Sequence, residues 1–315
     1  VLAACSSSSD TSSSESSSSD KLVVSVDTGY VDYINDIKAD FEKETGITVE
    51  VKEEGMIDTL DKLATDGPTG AAPDVFMAPY DRVGGLGSEG QLAPVTLGNE
   101  ADYDDTAKSL VTLDGTVYGA PAVVETLVLY YNKDLISSAP TTFEELEALQ
   151  KDAKYAFAGE DGKAVGFLAN WTNFYYGYGL LAGYGGYVFG DNGTDPSDIG
   201  LGNDGAIEGL NYAKKWYAMW PQGMLDTTKA GDFITEQFTT GKAAAIIDGP
   251  WAAASFKDAG VNYGAAQIPT LPNGGKYEAF GGGKAWVISN YSTKTSEAQQ
   301  FLDYVTNEAN QKAFY

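Results

Sequence analysis

The order of apolar and polar positions changes period along the chain. Leu22-Val23-Val24-Ser25-Val26 is a short apolar run with β-branched residues, which predicts a buried strand. Asp27-Thr28-Gly29 is expected to turn the chain. Ile34, Ile37 and Phe41 then recur at helical spacing up to Gly46, placed where a glycine caps a helix. Thr48-Val49-Glu50-Val51 predicts a second strand, Ile57, Leu60 and Leu63 a second helix, and Val75-Phe76-Met77 a third strand. Strand and helix alternate, so these are βαβ units feeding a parallel sheet.

Further on, Thr116-Val117-Tyr118 follows an Asp114-Gly115 turn and reads as the return arm of a hairpin. Val123 to Tyr131 predicts one long apolar strand carrying Glu125 in its middle. Thr142-Phe143-Glu144-Glu145 is a capping box opening an amphipathic helix. Helices are expected from Asp204 to Tyr217 and from Asp232 to Thr240, and strands from Lys242 to Ile247 and from Trp286 to Ser289. A final helix from about Ser296 is expected to be still running at Tyr315, so that the chain is cut there.

Composition narrows the function. The 315 residues, 43% hydrophobic, support more than one average domain. One cysteine excludes an intrachain disulfide, and the absence of histidine excludes Ser–His and Cys–His nucleophiles. A net charge of −25 argues against nucleic acid and against unaided adsorption to an anionic membrane. It says nothing against a neutral ligand.

The chain opens on Val1-Leu2-Ala3-Ala4-Cys5. Small residues before a cysteine resemble the lipobox of bacterial lipoprotein signal peptides, with the basic and apolar parts of the signal expected upstream of Val1. Cys5 is therefore the expected lipidation site. Residues 6–20 are almost wholly Ser, Asp, Glu and Thr, which cannot bury apolar surface and reads as a disordered tether. A flexible chain of that length reaches roughly 20 Å.

Aromatics are the informative residue class. Five fall within Asn170-Trp171-Thr172-Asn173-Phe174-Tyr175-Tyr176-Gly177-Tyr178, mixed with amides, and Trp251 follows Asp248-Gly249-Pro250 directly after a predicted strand. A sugar ring needs flat aromatic platforms for its C–H face and amides, carboxylates or Arg for its hydroxyl rim. Aromatics also fill cores, but a strand end is where open α/β sheets bind ligands. Glu125 has either a structural partner or a cleft to face. Asp81-Arg82 is either a binding fork for vicinal hydroxyls or a surface pair at a helix start. Asp191-Asn192-Gly193-Thr194-Asp195 lacks the spacing of a calcium loop and reads as a turn or hairpin. No metal or other cofactor is expected. Paired carboxylates of a glycosidase type decide nothing among 45 acidic residues.

Taken in order, twelve segments resemble the maltose/maltodextrin-binding proteins of ABC importers. They are Lys21-Leu22-Val23-Val24, Asp27-Thr28-Gly29-Tyr30, Phe41 to Val49, Pro73-Asp74-Val75, Asp81-Arg82-Val83-Gly84-Gly85, Tyr118-Gly119-Ala120-Pro121, Val124-Glu125-Thr126-Leu127, Tyr131 to Leu135, Thr142 to Leu146, Phe238 to Ala244, Asp248-Gly249-Pro250-Trp251 and Val261-Asn262-Tyr263-Gly264. Met77 to Arg82 and Gly281 to Trp286 look most like the Gram-positive lipoprotein branch, in agreement with Cys5.

The resemblance implies an α/β chain of the two-lobed type II periplasmic-binding-protein fold, with hinge strands between lobes and sugar held between them. The expected division is a tether over 1–20, a first lobe over 21–124 plus 282–315, and a second lobe over 125–281. It implies that Asp27 and the Asp81-Arg82 pair are polar ligand-binding residues of the first lobe, Glu125 a binding carboxylate, Tyr175 an aromatic platform and Trp251 the stacking tryptophan. Asn173 stands where Gram-negative maltose binders have a glutamate, and Ala78 where they have a tryptophan, with Tyr80 or Trp171 as candidates for the missing surface. The family's C-terminal segment, which carries a further aromatic subsite, lies beyond Tyr315. The implied function is capture of maltose or maltodextrins by hinge closure, for a membrane permease, by a lipid-anchored monomer on the outer face of the cytoplasmic membrane. The rivals are a same-fold binder of another oligosaccharide, a glycoside hydrolase, and an adhesin with no small ligand.

Overall fold

A computed structural model describes residues 20–314. Cys5 and the Ser-rich segment to residue 19 lie outside the described residues. The chain divides into two compact units: one has its described residues at 20–124 and 283–314, the other comprises Glu125–Gly282.

The first unit is built on a five-stranded sheet in the order Val49–Glu53, Leu22–Val26, Val75–Pro79, Gly282–Ile288, Ala120–Glu125. Leu22–Val26 pairs in parallel with both its neighbours, Leu22 opposite Val49 and Val24 opposite Val75. Gly282–Ile288 runs antiparallel to Val75–Pro79, with Lys284 opposite Pro79 and Ile288 opposite Val75. The sheet is thus mixed: the βαβ pattern described only its first three strands, and an antiparallel return from far along the sequence completes it.

The helix Thr28–Thr45 begins inside the expected turn. Thr28 and Gly29 are its first turn and Asp27 its N-cap, so the polar triplet starts a helix rather than ending a strand. Its buried face is Tyr30, Ile34, Ile37 and Phe41. Gly46 ends it at φ 73°, a left-handed conformation glycine adopts without strain, and returns its N–H to the Glu42 carbonyl. Phe41 meets Phe301 edge-on at 5.5 Å between ring centres, and Tyr304 gives its hydroxyl to the Ile37 carbonyl at 2.6 Å. Each such buried apolar side chain stabilises by roughly 1.5–3 kcal/mol. The last helical stretch is two helices, Thr295–Val305 and Glu308–Ala313, because Asn307 interrupts the first and caps the second through the Asn310 N–H.

The second unit carries a four-stranded sheet in the order Tyr263–Ala266, Val128–Asn132, Ala245–Asp248, Phe167–Leu168. Ala245–Asp248 is antiparallel to Val128–Asn132 and parallel to Phe167–Leu168. The long strand expected from Val123 to Tyr131 is two strands, Ala120–Glu125 and Val128–Asn132, which join different sheets. An apolar run buried in both sheets has no period that marks the break at Thr126-Leu127. The Thr142–Glu145 capping box is present, with the Glu145 N–H donating to the Thr142 hydroxyl oxygen at 3.2 Å.

The core of this unit is aromatic. Phe143, Phe167, Trp216, Trp220, Phe238 and Phe256 are fully buried. Trp220 satisfies its indole N–H on the Phe167 carbonyl at 2.6 Å. Buried Gln150 donates to the Ala164 carbonyl at 2.6 Å and accepts the Phe167 N–H at 3.2 Å, so the sheet edge there is closed by a side chain.

Candidate ligand-binding site

In the second unit, the strand Ala245–Asp248 ends on Asp248-Gly249-Pro250. Pro250 opens a short 3-10 turn, Pro250–Ala252, that carries Trp251. Trp251 is 49% exposed, unusual for so large an apolar side chain. Its ring lies over Gly249, where a Cβ would be driven into the ring's six-membered portion. Glycine here leaves the seat on which the indole rests.

Asp248 fixes the surroundings of that seat. One carboxylate oxygen accepts the Gly249 N–H at 2.8 Å and the Tyr176 hydroxyl at 3.0 Å. Burial pushes the Asp248 carboxyl above its ordinary value, and these donors pull it back only in part. Behind it, buried Tyr130 gives its hydroxyl to the Gly249 carbonyl at 2.9 Å, and burial raises that phenol to about 12.

The second wall comes from the helix Phe174–Gly183. Asn173 caps it, accepting the Tyr175 N–H at 3.0 Å. Helical spacing then places Phe174, Tyr175 and Tyr178 on adjoining positions of one end. Tyr175 lies 6.0 Å from Trp251, ring centre to ring centre, and 5.9 Å from Phe280 in a stacked pose. Phe280 in turn stacks on Tyr178 at 4.1 Å with the planes 8° apart, and Phe174, 51% exposed, lies 5.8 Å from Phe280. Burial raises the Tyr175 phenol, and the negative charge of nearby Glu125 raises it further. Tyr175, Trp251 and Glu125 therefore share one region of the second unit, an open aromatic surface with a carboxylate at its rim.

Trp171 lies elsewhere. Its indole N–H donates to the Tyr277 hydroxyl at 3.0 Å, and its ring packs 5.2 Å from Trp220 in the core. Phe174 and Tyr178 lie in the aromatic cluster that the sequence marks, and Asp248 in the segment leading to Trp251, but no binding role was expected of them or of Phe280. The helical repeat counted from Asn173 was a signal for Phe174 and Tyr178. Phe280, about a hundred residues later, left none.

In the first unit, Asp27 and Tyr80 stand at the C-terminal ends of the neighbouring parallel strands Leu22–Val26 and Val75–Pro79, the edge where α/β sheets bind ligands. One Asp27 oxygen accepts the Met56 N–H at 2.7 Å, which fixes the start of the helix Met56–Asp66. Tyr80 is buried and gives its hydroxyl to the Val123 carbonyl at 2.8 Å. Asp81 is exposed and Arg82 half-buried in the first turn of the helix Tyr80–Ser88. Ala78 is buried within the strand.

A mixed α/β chain with open aromatic and polar surfaces at strand ends is built to hold a ligand. It belongs to the family of bacterial extracellular solute-binding proteins, whose profile matches residues 36–315. It is 58% identical over 318 residues to a maltooligosaccharide ABC transporter solute-binding lipoprotein of Streptococcus pneumoniae, covering 100% of this chain and 75% of that protein. Among solved structures, it resembles the maltose-binding periplasmic protein MalE from Listeria monocytogenes in complex with maltose (TM-score 0.89, 58% identity, covering 94% of this chain and 77% of that one). It also resembles MalX from Streptococcus pneumoniae in complex with maltopentaose (TM-score 0.82, 60% identity, 94% and 79% covered).

Proposed function

We propose that this chain captures maltodextrins outside the cell and delivers them to an ABC permease by hinge closure on the ligand. The observation that carries the reading is Trp251, half open on its glycine seat beside Tyr175 at the end of a sheet strand. Glucosyl rings stack on these two, and hydroxyls are taken by Glu125 and by the Asn173 amide. Asp27, Asp81, Arg82 and Tyr80 are the polar candidates of the first unit. The relatives' maltooligosaccharide and maltose ligands support the sugar class. The protein acts as a monomer, performs no hydrolysis, and is tethered by a lipid on Cys5.

Calorimetric titration with maltotriose, raffinose, xylobiose and glucose tests the reading. Saturable binding of maltotriose with weaker responses to the rest is expected. Preference for raffinose or xylobiose sinks the maltodextrin assignment, and shortened products after incubation with maltodextrin sink the non-enzymatic one. Replacement Cys5→Ala in the producing cell is expected to release the protein into the medium; retention in the membrane fraction refutes the anchor.

A further inference from the structure

Beside the Tyr175–Trp251 pair, the second unit has a groove of about 590 Å³ that shares Tyr178 and Phe280 with the surface above, within the size range of small-ligand pockets. Its walls are Tyr178 and Phe280 on one side and the hairpin residues Tyr187 and Phe189 on the other, with Asp198 and Glu278 at the rim. Resting on the maltodextrin capture proposed above, we infer that this groove is an accessory carbohydrate subsite, which holds the outer glucosyl units of chains too long for the Tyr175–Trp251 surface.

Three observations carry this. First, the groove is continuous with that surface through one ring. Phe280 lines the groove, stacks on Tyr178 at 4.1 Å, and stacks on Tyr175 at 5.9 Å. A sugar chain leaving Tyr175 passes directly onto aromatic walls. Second, the hairpin that forms the far wall has a defined turn. Asp191 and Asn192 both take left-handed backbone conformations, with φ of 49° and 55°, as in the primed turns of tight hairpins, which Asp and Asn tolerate. Bridges between Phe189 and Ile199 and between Gly190 and Asp195 hold it closed. Tyr187 gives its hydroxyl to the Asp198 carboxylate at 2.9 Å, which sets both at the groove. Phe189 stays 39% exposed on this scaffold. Third, the lining has aromatic rings, carboxylates and the Asn192 amide but no Lys or Arg. That excludes anionic ligands and matches a neutral polyol, with C–H faces on the rings and hydroxyls donating to carboxylates. The acidic side chains do not form a metal-holding cluster.

The test is calorimetry on the full chain with maltotriose and maltoheptaose, for the native protein, Phe189→Ala and Glu278→Gln. Both substituted side chains are exposed, so the fold is retained, and unchanged maltotriose affinity verifies it in each variant. The native protein is expected to bind maltoheptaose about tenfold more tightly than maltotriose, and Phe189→Ala to remove most of that ratio. Maltotriose binding with the same length ratio in native protein and both variants overturns the groove assignment alone. No response to either sugar overturns the capture reading and this inference with it. A parallel titration with spermine covers a cationic ligand: saturable binding lost in Glu278→Gln overturns the choice of a neutral sugar.

Discussion

Replacing Trp251 with alanine isolates the stacking contribution with little cost to the fold. The indole is half open, so truncation opens no core cavity. A tryptophan side chain presents up to roughly 250 Å², so the open half amounts to about 120 Å². Covering all of it with sugar C–H groups would contribute about 3 kcal/mol at 25 cal/mol per Å². A ring stacked on one face covers about half, or about 1.5 kcal/mol. Trp251→Ala is therefore expected to raise the Kd for maltotriose between about 10-fold and 150-fold. Isothermal calorimetry reads the affinity, and an unfolding free energy from denaturant titration unchanged within about 1 kcal/mol shows that the fold is intact. Affinity within twofold of the native protein in a folded variant would refute stacking on this ring.

Gly249→Ala should weaken maltotriose binding toward the level of Trp251→Ala although residue 249 need not touch sugar, because the added methyl displaces the indole; unchanged affinity in calorimetry would mean that the ring's seat does not matter. Gly283→Ala should destabilise by about 3 kcal/mol or more in urea unfolding, since φ is +124° there and a Cβ would strike the Val123 carbonyl oxygen. Asp248 gives a pH signature. Its folded carboxyl lies above its unfolded value of 3.8, so the native state gains stability from it as pH falls through the raised value, and loses that gain as pH rises. The melting temperature of the native protein minus that of Asp248→Asn should therefore increase as pH is lowered below neutrality and level off near pH 3, and a difference that shrinks on acidification contradicts the assignment. Thr142→Ala should cost about 1 kcal/mol in unfolding by removing the capping-box acceptor of the Glu145 N–H, with sugar affinity unchanged.

Local chemistry was legible where short-range physics decides. The Gly46 cap, the Thr142 capping box and the Asp114-Gly115 hairpin all appear where the sequence places them, because each is settled within four residues. Pairing across long separations was not legible. Nothing in Gly282–Ile288 announces that it inserts antiparallel beside Val75–Pro79, two hundred residues earlier. The division of the run from Val123 to Tyr131 between two sheets was hidden for the same reason. On the candidate surface, the strand-end position of Trp251 and the aromatic density near Asn173 were the visible signals. They could not tell Trp171, half-buried against Trp220, from Tyr175, half-buried beside the exposed Trp251. That choice depends on tertiary ring partners far along the chain, Trp220 and Tyr277 for Trp171 and Trp251 and Phe280 for Tyr175.

The exposure of Trp251 also sorts the tryptophans optically. Trp216, Trp220 and Trp286 are sealed in apolar cores, and Trp171 is packed with its N–H engaged. Trp251 stands in water, so its emission belongs to the red edge of the spectrum. Iodide should quench that red component selectively, and a bound sugar should shift it toward the blue and shield it. The chain thus carries an intrinsic fluorophore on the surface assigned to its ligand, and occupancy can be followed without attaching a dye.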